Sequence, residues 1–249
     1  MKTPKLITLM LFSSIILNLS AQEDDDRKFR FGLHFSPNIA WLNASSDGYE
    51  KNGSDVGFAY GLSAEFFLAK NYLFSTGFSI TSLGGNLTYP GTFQDVTNNT
   101  FSPTKIDQAY NLKYIEIPLT LKLRTNEIGY MTYYGNFGFK SGINYNASGD
   151  FDFKEQQVSR NDEDIDDDIK FFNMWLVVGA GAEYSISGNT TVMFGITFNN
   201  GFINVLDNKV SELDGNGNAV LKPNGTPLLK NKTANATLNY FSLDLGIYF

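Results

Sequence analysis

Apolar side chains recur at every second position along most of this chain. Phe29, Phe31, Leu33 and Phe35 share one parity, while Arg30, Gly32, His34 and Ser36 share the other. Side chains of an extended strand alternate between two faces, so this pattern predicts a two-faced strand rather than a helix. A second run sets Phe58, Tyr60, Leu62, Phe66 and Leu68 against Gly57, Gly61, Ser63 and Glu65. A third sets Tyr72, Phe74, Phe78 and Ile80 against Ser75, Gly77, Ser79 and Thr81. In the fourth, Ile115, Ile117, Leu119, Leu121 and Leu123 oppose Glu116, Thr120, Lys122 and Arg124. Four further runs follow: Met131 to Tyr145, about Lys170 to Ile186, Thr191 to Asn199, and Phe241 to Phe249. The sixth is apolar on both parities near Met174 to Val178 and alternates only afterwards. The count is eight.

Connection lengths alternate as regularly as the side chains. Hairpin turns of two or three residues are predicted at Lys70-Asn71, at Thr125-Asn126-Glu127 and at Ser187-Gly188-Asn189. Between them lie long polar connections, about Asn43 to Asp55, Tyr89 to Gln108, Ala147 to Asp168 and Asp207 to Lys232. Tight turns on one side and long loops on the other are the pattern of membrane barrels. A soluble eight-stranded barrel would place the apolar parity inward and the other in water. The non-apolar parity is rich in Gly, Ser, Thr and Asn and poor in Lys and Glu, which suits a narrow lumen better than a wetted surface. The expected fold is an eight-stranded antiparallel up-and-down transmembrane β-barrel over residues 29–249, with short periplasmic turns and four long external loops.

The first 21 residues read as an address. Lys2 and Lys5 precede an apolar stretch from Leu6 to Leu19, and Ser20-Ala21 ahead of Gln22 offers a cleavage point. That stretch is too short to cross a bilayer as a helix. Cleavage removes two lysines and no acids, taking the net charge from −7 to −9. Residues 22–28 then form a short acidic lead-in. The expected location is the outer membrane. An acidic chain without basic clusters is a poor partner for nucleic acid. The absence of cysteine excludes disulfides, thiolate metal sites and cysteine catalysis.

The run Tyr114-Ile115-Glu116-Ile117-Pro118-Leu119-Thr120-Leu121-Lys122-Leu123 resembles the most recognisable strand of the PorT-like outer-membrane β-barrel family of Bacteroidetes. Ser20-Ala21-Gln22 and the terminal Tyr248-Phe249 agree with it. The resemblance implies an outer-membrane barrel of a Gram-negative envelope. It says little about activity, since some members are accessory to protein secretion and many have no assigned role. Pro118, lacking an N–H, predicts a bulge or irregularity in this wall.

With the apolar parity facing lipid, the other parity places Arg30, His34, Glu65, Glu116 and Lys122 in the lumen. Arg124, Lys140, Glu183 and Asp244 join them. Apart from the histidine, four groups are positive and four negative. Charges held away from water are costly unless paired, so the balance predicts an ion-pair network plugging the bore. Arg30, Glu65, Lys122, Glu183 and Asp244 are expected to form one periplasmic layer. Since the first strand closes on the eighth, Arg30 with Asp244 is the expected pair.

Other chemistry is weaker. The acidic run Asp162 to Asp168 and the segment Asp214 to Asn218 lack the spacing of a calcium loop and read as a solvated loop and a turn. Asn-x-Ser/Thr sites such as Asn43, Asn86 and Asn235 read as composition. His34, the sole histidine, sits too deep for catalysis at the external rim, and no nucleotide or zinc signature is present. No cofactor, metal or enzymatic activity is expected. Two functions stay open: a structural or accessory barrel, and a narrow pore or small-solute-binding barrel using the lumen charges. Expected partners are outer-membrane lipid and lipopolysaccharide, together with other envelope or secretion proteins, around a monomer.

Overall fold

A computed structural model describes residues 28–95, 97 and 100–249. The segment 1–21 expected as a leader, and residues 22–27 of the acidic lead-in, lie outside the described residues. The strands are β1 (Phe29–Ala44), β2 (Glu50–Lys51), β3 (Asp55–Ala69), β4 (Tyr72–Asp95), β5 (Thr100–Arg124) and β6 (Met131–Phe153). They continue as β7 (Val158–Asp164), β8 (Phe172–Ser187), β9 (Thr190–Gly201), β10 (Lys209–Ser211), β11 (Leu229–Thr233) and β12 (Ala236–Tyr248). A closed ring runs β1-β3-β4-β5-β6-β8-β9-β12 and back to β1, with all pairings antiparallel. Eight strands thus form the barrel, and closure leaves no sheet edge within the bilayer.

The outer wall confirms which way the apolar parity looks. Phe31, Leu33 and Phe35 on β1, Ile115, Ile117 and Leu119 on β5, and Phe194 and Ile196 on β9 are all about half exposed. On β6 the outward file starts at Tyr133, continues through Phe137, Phe139 and Ile143, and ends at Tyr145. It carries an aromatic residue at each end, as a barrel does where hydrocarbon gives way to headgroups. Cross-strand rings lock neighbouring strands together, for example Phe31 with Phe249 at 5.7 Å and Phe198 with Phe241 at 4.7 Å.

The connections depart from expectation in three places. The turn between β5 and β6 is not confined to Thr125–Glu127. It runs to Tyr130, closed by paired backbone bonds between Ile128 and Met131. The segments expected as the second and third long loops are largely strand. β4 and β5 continue as one hairpin through Asp95↔Thr100, and β7 pairs back on the upper part of β6. Pro118 interrupts the ladder without shifting it: β4 and β5 pair at Thr76↔Leu119 and again at Ser79↔Glu116 in one register, with Ile117 and Pro118 left out between them. The register shift of β5 lies at Lys113/Tyr114 against β6.

Above the bilayer the interior changes character. Leu42, Leu83, Leu87, Leu112 and Leu238 are almost wholly buried on the inward face. Ile165, Ile169, Val205, Leu206 and Val210 from the connecting segments pack onto them as one cluster. Asn204 fastens this cap. Its Nδ2 donates to Ala234 O at 2.7 Å and Leu206 O at 3.0 Å, and its Oδ1 accepts from Ala236 N and Leu206 N. Part of the acidic run is structural as well: Asp166 Oδ1 accepts from Ala147 N at 2.6 Å and Asp150 Oδ1 from Asp162 N at 2.7 Å.

Candidate functional site: a bore closed at two levels

At the periplasmic end, cross-strand register sets the charges. Arg30 on β1 lies directly opposite Glu65 on β3, and its Nε donates to Glu65 Oε2 at 2.6 Å. Its Nη2 reaches across the bore to Glu183 Oε1 at 2.5 Å. Lys122 Nζ donates to Glu65 Oε1 at 2.9 Å and to Glu183 Oε1 at 2.5 Å, so two cations and two carboxylates close a ring. Arg124 adds an ion pair to Glu183 at 3.0 Å from the rim. All four ring members are 5% exposed or less. Tyr248 and Tyr134 pack against them, with the Arg30 guanidinium 4.6 Å from the Tyr248 ring and Lys122 Nζ 4.1 Å from the Tyr134 ring. Tyr134 fits because Gly195 stands opposite its hydroxyl, where any side chain would collide.

Asp244 does not belong to this layer, and the expected Arg30–Asp244 pair is absent. Gly32 already faces Tyr248 and Phe35 faces Leu245, so Asp244 falls beside Ser36, well up the wall. Closing a barrel requires a stagger between first and last strands, and that stagger separates the two residues. Asp244 instead accepts from Thr197 Oγ1 at 2.5 Å.

A second polar group lies at mid-depth. Lys140 Nζ donates to the Tyr240 hydroxyl at 2.8 Å and pairs with Glu116 at 3.3 Å. Tyr240 in turn donates to Glu116 Oε1 at 3.0 Å, and Thr81 Oγ1 donates to Glu116 Oε2 at 2.9 Å. His34 Nδ1 contacts Ser63 Oγ at 2.8 Å. A Ser, a His and an Asp thus share the bore, but Asp244 is bonded to Thr197 rather than to His34. Between the ion ring and Tyr240 lies a cavity of about 110 Å³, which His34, Lys140 and Asp244 help to line.

The ceiling is aromatic. Trp175 is fully buried, donates Nε1–H to Leu238 O at 2.8 Å, and meets Tyr114 edge-on at 5.4 Å and Tyr240 at 6.0 Å. These rings complete the bore beyond the charges expected from the strand pattern. Tyr114, Tyr134, Tyr240 and Tyr248 all fall on the polar parity of their strands, which was the available signal.

A lipid-facing apolar wall, a closed ring of eight strands and a filled polar bore define an outer-membrane β-barrel protein. The sequence bears this out, for residues 20–207 match the outer membrane protein beta-barrel domain family, and the chain belongs to it. No curated protein sequence matches. Among solved structures, neisserial surface protein A is similar at 12% identity, covering 88% of this chain and 95% of its own, with TM-score 0.40. Ail of Yersinia pestis, in complex with sucrose octasulfate, is 14% identical over 90% of this chain and 100% of its own, with TM-score 0.38. OprG of Pseudomonas aeruginosa is 8% identical over 89% and 95%, with TM-score 0.37.

Proposed function

We propose that this protein is a non-conducting barrel with a structural or accessory role in the cell envelope, acting through its external cap. The carrying observation is that the bore is closed twice, by the ion ring below and by the Trp175 ceiling above, while β4 and β5 extend far past the barrel as a paired hairpin. Opening a path means breaking buried ion pairs, which costs several kcal/mol, about 3–5, when one partner is lost. A folded, polar, acidic cap has no such barrier to meeting other envelope components. Outer-membrane lipid and lipopolysaccharide surround the wall in this reading, the barrel acts as a monomer, and the partners of the cap are other envelope proteins, those of secretion included.

Planar-bilayer recording tests the closed bore. Wild-type protein is expected to give no reproducible conductance steps, and stable small steps would overturn the proposal in favour of a narrow pore. Gentle detergent extraction tests the cap. Replacing the hairpin beyond Leu87 and Gln108 with a tight turn is expected to release co-purifying envelope proteins while the barrel stays folded.

A further inference from the structure

The two tryptophans of the chain stand in opposite surroundings. Trp175 is fully buried in the ceiling, whereas Trp41 is half-buried on the outer wall. Three neighbouring strands mark a border at Trp41. The outward file of β1 ends Ile39, Trp41 and then Asn43, and that of β9 ends Ile196, Phe198 and then Asn200. On β12, read towards the cap, the same parity gives Leu243, Phe241 and then Asn239. Each file closes on an aromatic ring followed by an asparagine, which is the order met where hydrocarbon gives way to headgroups. The three rings form one cluster. Trp41 stacks with Phe198 at 6.3 Å and is tilted against Phe241 at 5.7 Å, and those two phenylalanines pack on each other.

A lysine covers this platform. Lys51 Nζ lies 5.0 Å from the centre of the Trp41 ring. Its backbone is tied down, since β2 pairs with β4 at Glu50↔Thr88 and Lys51↔Leu87, and Asn52 N donates to Asn86 O at 2.9 Å. β4 in turn leans onto β1 at Gly85, where a side chain would run into Leu42 N and Trp41 Cα. That close approach carries β2, and Lys51 with it, over to Trp41. Lys51 is exposed, and no Asp or Glu among the described residues lies within ion-pair distance of it. The result is a cation without a carboxylate, fixed above rings that end a lipid-facing wall.

We propose that Lys51 and Trp41 hold one outer-leaflet lipid, with the ammonium on its anionic phosphate and the Trp41–Phe198–Phe241 cluster against the upper part of its acyl chains. Charge and surface complement such a lipid together. A soluble phosphate would meet a single lysine, whereas a lipid also covers the rings. The site rests on the lipid-facing wall and gives one surrounding lipid a fixed position, whatever meets the cap and whether or not the bore conducts.

Tryptophan quenching by brominated lipid tests this on the full barrel in vesicles. The brominated component is phosphatidic acid in one series and phosphatidylcholine in the other, at equal mole fraction. Bromine quenches a ring that it touches, so Trp41 reports and Trp175, sealed in the ceiling, does not. Phosphatidic acid is expected to bind at the Trp41 site about fivefold more strongly than phosphatidylcholine, the worth of one lysine at an anionic surface. Lys51→Met is expected to bring the two lipids to parity, with its quenching by phosphatidylcholine unchanged as the sign of a folded, inserted barrel. Lys70→Met, at the periplasmic turn between β3 and β4, is expected to keep the preference. Equal quenching by both lipids in wild type, or a preference that survives in Lys51→Met, overturns the proposal. Quenching by neither lipid overturns it too, since Trp41 would then stand in water.

Discussion

The lower and upper halves of this molecule are built from the same strands but turn opposite chemistry inward. Near the periplasm β1 shows Leu33 to lipid and Arg30 to the bore, and further along the same strand Leu42 lies inside, fully buried. Lipid rewards apolar groups outside, so the bore must hold polar groups and satisfy them with each other. Water rewards the reverse, so the cap builds an ordinary apolar core. One strand obeys both solvents in turn. The rule of parity is therefore local to the bilayer.

The comparison breaks most severely at the ion ring. Glu183→Ala leaves Arg30, Lys122 and Arg124 sharing Glu65, and a loss of about 3–5 kcal/mol is expected from urea unfolding in micelles. Ile196→Arg tests the opposite face at bilayer depth. It is expected to cost about 2–4 kcal/mol in lipid vesicles, whereas an arginine at exposed Val158 on β7 is expected to cost almost nothing. Removing the mid-depth pair as a unit is gentler. Glu116→Gln with Lys140→Met is expected to stay within about 1 kcal/mol of wild type, and each single change to cost more, since replacing both partners of a buried pair is often neutral.

The smallest effect lies in the cap. Burial, then Asp167 and Asp207, raise the Asp168 carboxyl above its ordinary range. The unfolded chain therefore ionises first as pH rises, so this group favours the folded cap in acid and opposes it once ionised. Asp168→Asn is expected to raise resistance of the cap to proteolysis slightly at neutral pH, and the advantage is expected to vanish below the normal aspartate range. An advantage that persists in acid would contradict the assigned cause.

Much of the architecture was legible because hydrocarbon enforces it. Strand number and the outward file from Leu33 to Phe35 follow from period two. Which charges meet was not legible, since stagger rather than proximity in the connection diagram places Asp244 beside Ser36 and not beside Arg30. The upper hairpin is not legible as strand, because Thr88 to Asp95 and Thr100 to Gln108 show no clean alternation. Those residues are strand because the ladder below them simply continues, Thr92↔Pro103 and Gln94↔Phe101 included. The apolar ceiling escaped for a related reason. Runs such as Met174 to Val178, greasy on both parities, mark where inside and outside are both dry.

The 24 residues of β4 and 25 of β5 carry a further consequence. A bilayer takes up roughly 9–11 residues of a tilted strand. More than half of each therefore stands in the aqueous exterior, joined to the wall without a hinge. Force or torque applied at the tip reaches the lipid-embedded staves as in a mast stepped through a deck.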